Sequence, residues 1–272
     1  MKKAISRGFI AVTILLLYLP ILVLALYSIT DSTNIGRIHG FSLNNYRTLF
    51  TTPELTDMIL GTLALALGSA LLATLLGTLG AVGAFYSRGA ARSVMNAMNQ
   101  IPVINADVVT GFSVCIFLIV VLGMSKETYI PLVIGHTVLS TPFVYLSVVP
   151  KLKQMDNSLY EAALDLGATP FYAMVKIVLP QIASGIASGF MMAVTLSLDD
   201  YFIATYTKPA TFNTISTYVV NATKGSQTEI KTALWALSTI IFLLVVVLVA
   251  GSNLAGGSGK KKGGGSADEK IG

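Results

Sequence analysis

Three carboxylates sit within or at the edge of strongly apolar sequence: Asp107 in IPVINADVVTGFSV, and the adjacent Asp199 and Asp200 in TLSLDDYFIATY. A charged side chain in a membrane helix costs several kcal/mol unless it faces a partner or a water-filled cavity, so such residues are candidates for a transport pathway. Tyr201, Phe202 and Tyr206 follow the pair directly. Carboxylates beside aromatic faces suit an elongated organic cation, which gains ion pairing from the first and cation–π contact from the second. Successive residues of a helix point about 100° apart, so only one of Asp199 and Asp200 can face a pathway squarely. A plainer account stands beside this one: the pair caps the outer end of a helix in water, and Asp107 hydrogen-bonds a neighbouring helix.

Other reactive residue types are sparse. Cys115 is the only cysteine and lies in an apolar run, which excludes a disulfide framework or a cysteine metal site within the chain. The two histidines, His39 and His136, are far apart, and no histidine metal site is expected. His136 lies in an apolar segment, where a lone histidine usually hydrogen-bonds a neighbouring helix. There is no HExxH and no GxSxG. Gly259-Lys260 does not make a phosphate loop, because Leu254 stands at the leading glycine position and Lys261 replaces the required Ser or Thr. The chain is therefore expected to have no catalytic activity and no cofactor of its own, and any energy for work on a gradient must enter from a partner.

The elements that would position these residues are membrane helices. Of the 272 residues, 54% are hydrophobic and 11% charged, with mean hydropathy +0.74. The charges gather between apolar runs of roughly 20 residues, the length that spans a bilayer as helix. Six spans are expected, at about 8–30, 58–86, 102–123, 130–149, 181–204 and 232–253, forming one domain over 1–255 with a Gly/Ser/Lys-rich flexible tail at 256–272. The first run is too long for a signal peptide and lacks a small-residue cleavage site. Ser69, Ala73, Gly77 and Ala81 recur every four residues in the second span, and Gly185 and Gly189 form a GxxxG pair in the fifth. Both are packing faces that let helix backbones approach closely. The segments 31–57 and 206–231 are polar and expected outside. With the N-terminus inside, twelve of the 18 Lys and Arg fall on the inner side: Lys2, Lys3, Arg7, Arg88, Arg92, Lys151, Lys153, Lys176, Lys260, Lys261, Lys262 and Lys270. The positive-inside rule thus places both termini in the cytoplasm.

The same count places NSLYEAALDLGATPFYAMVKIVLP, residues 157–180, inside. Ser158 followed by Glu161 reads as a capping box, and Leu159, Ala162, Ala163 and Leu166 form one apolar helical face. Gly167 suits a left-handed stop, and Thr169 with Pro170 suits the start of a second helix that enters the membrane near Pro180. A helix, a sharp corner and another helix at a membrane surface make an object that a partner can grip.

Glu161-Ala162-Ala163, Gly167 and Ile177-x-Leu179-Pro180 together resemble the EAA signature of permease subunits of bacterial ABC importers, and the resemblance extends over essentially all six spans. It implies an all-α, polytopic type I ABC importer permease fold with a cytoplasmic coupling helix between helices 4 and 5. In that family the helix sits in a cleft of the cytoplasmic ATPase, so Glu161, Ala162, Ala163 and Gly167 are the expected coupling residues. The Ser-Leu-Asp-Asp run is similar to the C-type permease of spermidine/putrescine importers, and Asp107, Asp199, Asp200 and Tyr201 are the expected substrate-pathway residues. The resemblance further implies a second permease subunit, an ATPase pair that binds ATP and magnesium, an extracytoplasmic substrate-binding protein, and a place in the bacterial cytoplasmic membrane. Two alternatives remain at this stage. The cargo can be another small solute, such as a phosphonate, an iron complex or an amino compound, or the chain can be a gradient-driven carrier that needs no ATPase.

Overall fold

The computed structural model describes residues 2–31, 40–224 and 228–257, which are almost entirely helical. In chain order the helices are α1 (Lys2–Ser28), α2 (Asn44–Thr51), α3 (Pro53–Tyr86), α4 (Ala90–Ile104), α5 (Asp107–Cys115), α6 (Ile130–Gln154), α7 (Asn157–Asp165), α8 (Pro170–Ala173), α9 (Leu179–Asp199), α10 (Phe202–Thr207), α11 (Ile215–Lys224) and α12 (Thr228–Gly257). Two π-helical stretches, Ile116–Val121 and Met174–Val178, continue α5 and join α8 to α9. Among the described residues, four helical segments are long and apolar enough to cross a membrane, Ser6–Ser28, Pro53–Tyr86, Ile130–Gln154 and Pro170–Asp199, and a bent pair makes a fifth candidate. The expected sixth span falls on α12, whose apolar stretch is Ala233–Val247. The expected tail begins inside this helix, which runs through Gly257, and its remainder, 258–272, lies outside the described residues.

The chain forms two compact units. The first comprises 1–60 and 217–247. Within it the expected outer loop is not featureless: it carries α2, and α3 begins at Pro53 rather than near residue 58. Asn45 holds this segment to the end of α1 by donating to the carbonyls of Ser28 (3.2 Å) and Thr30 (3.0 Å). Tyr27 and Tyr18 of α1 stack edge-on against Trp235 and Phe242 of α12. His39 and Arg37 lie outside the described residues.

The second unit, centred on 61–216, is built on α6. Twelve residues of α6 are buried, among them His136, Ser140, Val144 and Val148. The small-residue stripes work as expected. A Cβ at Gly77 would lie 2.7 Å from Val144 Cβ, and one at Gly185 would lie 2.7 Å from Lys151 Cγ and 3.0 Å from the Ser147 carbonyl. Both α3 and α9 therefore lie backbone-close to α6, which only small residues permit. Pro142 and Pro150 are carried inside α6 without ending it. Pro142 lends its own carbonyl to Asn99 Nδ2 at 3.3 Å.

Two of the expected spans are corrected. Residues 102–123 do not form one helix: α4 and the α5 segment meet at Asn105–Ala106 with a bend of 109°. The fifth span does not continue to residue 204; α9 stops at Asp199 and a separate short helix, α10, begins at Phe202. Both breaks are flanked by apolar residues, so the hydropathy of the run is unaffected while its backbone turns.

Candidate functional site

All three aspartates stand at these two breaks. Asp107 is the first residue of α5, where a carboxylate complements the positive end of the helix dipole, and it is exposed rather than several residues deep in a span. Asp199 is the last residue of α9 and is exposed. Asp200 lies in the break itself and is buried. Its Oδ2 accepts the Ala204 N–H at 2.8 Å and its Oδ1 the Ile203 N–H at 3.3 Å, so it satisfies the first turn of α10. The pair does not project from one continuous helix, and the two side chains have opposite environments.

The short helix α10 is wedged between its neighbours. Ile203 fills notches left by Gly111 on α5 and Gly135 on α6: a Cβ at Gly135 would lie 2.6 Å from Ile203 Cγ2, and one at Gly111 would lie 3.2 Å from the Ile203 backbone nitrogen. This packing brings the start of α5, with Asp107, to the α9–α10 break. Tyr201 is half-buried and meets Phe202 edge-on at 5.3 Å between centroids, and Tyr206 meets Phe112 of α5 at 5.6 Å. Cys115 Sγ lies 3.3 Å from the Tyr206 carbonyl, a packing role.

Behind Asp200 is a polar chain that the sequence indicated only in part. His136 is fully buried; its Nδ1 lies 2.8 Å from Ser197 Oγ, and its Nε2 faces Asp200 Oδ2 at 3.5 Å. Ser197 in turn lies 3.2 Å from Ser69 of α3. The expected histidine bond to a neighbouring helix is present. Ser69 had been legible only as a packing residue, and the Asp-Tyr-Phe-Ile order, an N-cap type of residue ahead of an apolar turn, was the available signal for the break at Asp200.

The EAA-like stretch folds as a capped helix, a glycine corner and a second helix. Asp156, not Ser158, is the cap of α7: its Oδ1 accepts from the Ser158 N–H at 2.9 Å and from the Ser158 hydroxyl at 2.7 Å. These two bonds, the hydroxyl's foremost, hold the Asp156 carboxyl below the usual carboxylate range. Glu161 is exposed and no capping-box bond involves it. Gly167 has φ +88, and the Gly167 and Ala168 N–H groups donate to the carbonyls of Leu164 (2.9 Å) and Ala163 (3.0 Å). This left-handed glycine stop closes α7. Thr169 Oγ1 accepts from the Tyr172 N–H at 3.3 Å, with Pro170 in the first turn, as expected. No side chain of α7 is buried; Leu159, Leu166, Phe171 and Tyr172 are exposed, Leu166 by 90%. Tyr160 anchors the helix by ring contact with Tyr86 at the end of α3. Ala162 is exposed and Ala163 half-buried.

The family model described as "binding-protein-dependent transport system inner membrane component" matches residues 73–255. The chain belongs to this family. It is a membrane-embedded transport component, part of a complex with other subunits, and not an enzyme. The chain is similar to the spermidine/putrescine transport system permease protein PotC of Escherichia coli (strain K12), 29% identical over 242 residues covering 89% of each chain. It is also similar to the putrescine transport system permease protein PotI of the same strain, 30% identical over 231 residues covering 83% of this chain and 81% of PotI. Among solved structures, a chain from a bacterial ABC transporter that imports the acidic polysaccharide alginate superposes with a TM-score of 0.68 at 19% identity, covering 95% of this chain and 99% of that one. At that identity the likeness speaks for the fold.

One further concavity fits the carboxylates poorly as a binding site. A groove of about 430 Å3 between α3, α4 and α6 is lined chiefly by Leu76, Met95, Met98, Val138, Pro142 and Tyr145 and contains none of the three aspartates. An apolar groove offers a polycation no counter-charge.

Proposed function

We propose that this family member is the permease subunit of an ATP-driven polyamine importer and lines half of the translocation pathway. The observation that carries the cargo class is the similarity, over more than four-fifths of the chain, to permeases named for spermidine and putrescine transport. The local chemistry agrees. Exposed Asp107 and Asp199, beside Tyr201 and Phe202, offer separated negative charges and aromatic faces to an elongated cation. Asp200 contributes from behind, as a buried charge that the cargo does not need to touch.

In this reading α7 and the corner at Gly167 form the coupling helix. Its exposed apolar side chains Leu159, Leu166 and Phe171 enter a cleft on the partner ATPase, with Glu161 as the charged contact and Ala162 and Ala163 allowing close approach. The ATPase pair binds ATP and magnesium, which supply the energy. A second permease subunit completes the pathway, and an extracytoplasmic binding protein delivers cargo. Both termini lie in the cytoplasm of a bacterial cell. Transport proceeds by alternating access: closure of the ATPases draws the coupling helices together and opens the cavity outward, and hydrolysis resets it. The run Pro170–Asp199 is a single helical segment, so a push at the corner is transmitted along α9 to the acidic cluster at its other end.

Uptake of labelled spermidine and putrescine into vesicles holding the assembled transporter tests the proposal. Asp107→Asn and Asp199→Asn are each expected to raise the half-saturating cargo concentration about tenfold, since a charge-assisted contact is worth roughly 1.5–3 kcal/mol. Unchanged half-saturation in both variants would sink the acidic site. Uptake of a different solute class, with no polyamine transport by the wild type, would remove the cargo assignment while leaving the permease class intact.

A further inference from the structure

The buried histidine has a role that the coupling and pathway residues do not explain. His136 is fully enclosed, yet its Nε2 has no hydrogen-bond partner and stands 3.5 Å from Asp200 Oδ2. A buried ring nitrogen in that state needs a reason. The proton count supplies its direction. Ser69 Oγ donates to the Leu65 carbonyl at 2.7 Å, so the single Ser197 proton can go to Ser69 Oγ at 3.2 Å or to His136 Nδ1 at 2.8 Å, the shorter contact. With a carboxylate in front of Nε2, the tautomer assigned by the network carries its proton there, and Nδ1 accepts from the Ser197 hydroxyl. The ring therefore reaches from Ser197, in the last turn of α9, to Asp200, the first residue beyond that helix. It braces both sides of the break from a third helix, α6.

We infer that His136 is a positioning residue for the acidic cluster: it holds Asp200 against the first turn of α10 and so fixes the break that presents Asp199 and Tyr201. Three observations converge on this. The Asp200 carboxylate is already committed to the Ile203 and Ala204 N–H groups, so its orientation and the start of α10 are one variable. Gly135, the neighbour of His136, makes room for Ile203, so the same turn of α6 receives the wedge and braces its cap. His136 Nε2 stands 3.5 Å from Asp200 Oδ2, facing it from α6 and placed to keep this third carboxylate turned inward. Without it, the cost of keeping an under-compensated carboxylate away from water favours Asp200 swinging out of the break, which would release the first turn of α10 and shift Asp199 with it. The consequence for transport rests on Asp107 and Asp199 being the cation site; the brace itself does not.

Two substitutions separate the arms of the ring. In His136→Asn the amide stands where Nδ1 stands, so it keeps Ser197 and loses Asp200; in His136→Gln the longer amide reaches the position of Nε2. Hydrogen exchange at the Ile203 and Ala204 amides, measured on the assembled transporter in nanodiscs, reads the brace without any cargo. His136→Asn is expected to speed exchange there about tenfold or more, the effect of taking a polar N–H group away from a buried carboxylate, with His136→Gln within about threefold of wild type. In uptake, His136→Asn should raise the half-saturating spermidine concentration by a similar factor at a maximal rate and complex yield close to wild type, and Gln should restore it. Equal exchange at both amides in all three proteins, or identical behaviour of Asn and Gln, overturns the assignment. A second control is Asp200→Asn: in that background His136→Asn should add nothing further, and a persisting increment also overturns it. Should the exchange result hold while Asp107→Asn and Asp199→Asn leave half-saturation unchanged, the brace stands and the acidic cation site falls.

Discussion

Replacing Gly167 separates backbone strain from volume at the proposed coupling corner. The residue has φ +88, and a Cβ built there meets nothing within 4 Å, so a side chain costs conformation but no space. An L-residue held in the left-handed region costs roughly 1–2 kcal/mol, and asparagine less, because its short polar side chain tolerates that region. The corner is exposed and held by the Gly167 and Ala168 donations to Leu164 and Ala163, so little else opposes its rearrangement. A shift of this size reduces the population of the correct corner by a factor of about 5–30 relative to competing conformers. ATP-driven uptake, normalised to the amount of assembled complex, should therefore fall in the order Gly, Asn, Ala, Val, with the binding of the proposed extracytoplasmic partner unaffected. Equal activity of the alanine, valine and asparagine variants would refute the reasoning, since it would mean that the left-handed turn is not what positions α7. A loss that followed side-chain volume, with asparagine as poor as valine, would do the same by showing that a partner surface fills the space.

The remaining expectations concern the same elements. Asp156→Ala should raise hydrogen exchange at Ser158, whereas Asp156→Asn, which keeps an acceptor, should not. Because the Asp156 carboxyl is held below its usual range, its contribution to the start of α7 is complete above the ordinary carboxylate pKa and is lost as pH falls through the lowered one; protection at Ser158 that is flat across acid pH would contradict this. Gly185→Leu should destabilise the detergent-solubilised chain by about 1–3 kcal/mol through overpacking against Lys151 and Ser147, read as a lower melting temperature. Gly68→Ala, whose Cβ meets nothing within 4 Å, should be neutral or stabilising by roughly 0.5–1 kcal/mol; a drop equal to that of Gly185→Leu would show that packing closeness is not the cause.

Much of this molecule is written in local chemistry and could be read without a structure. Apolar runs, the four-residue stripe from Ser69 to Ala81, the GxxxG pair at Gly185, the left-handed stop at Gly167 and the Thr169-Pro170 start each depend on near neighbours in the chain. Their physical requirements, bilayer length, backbone approach and cap geometry, are met within a turn or two of helix. Asp156 took the cap expected of Ser158 because a carboxylate two positions earlier can accept both the Ser158 N–H and its hydroxyl. That choice is still local, and the sequence missed it by two residues.

The acidic cluster is of the other kind. Hydropathy averages over the breaks at Asn105–Ala106 and Asp200–Tyr201 because apolar residues continue on both sides, so the aspartates looked embedded in helices when they in fact begin or end them. Which of Asp199 and Asp200 is exposed followed from the wedge of α10 between Gly111 and Gly135 and from His136, residues 61 and 64 positions away from Ser197 and Asp200 in the chain. By itself the sequence determined a helical membrane component with a capped, glycine-cornered segment, because those features are periodic or nearest-neighbour. Only tertiary structure decided where the charges point, because a buried carboxylate is stabilised by whatever groups the fold brings to it, and for Asp200 those are the first amides of α10 and His136 of α6.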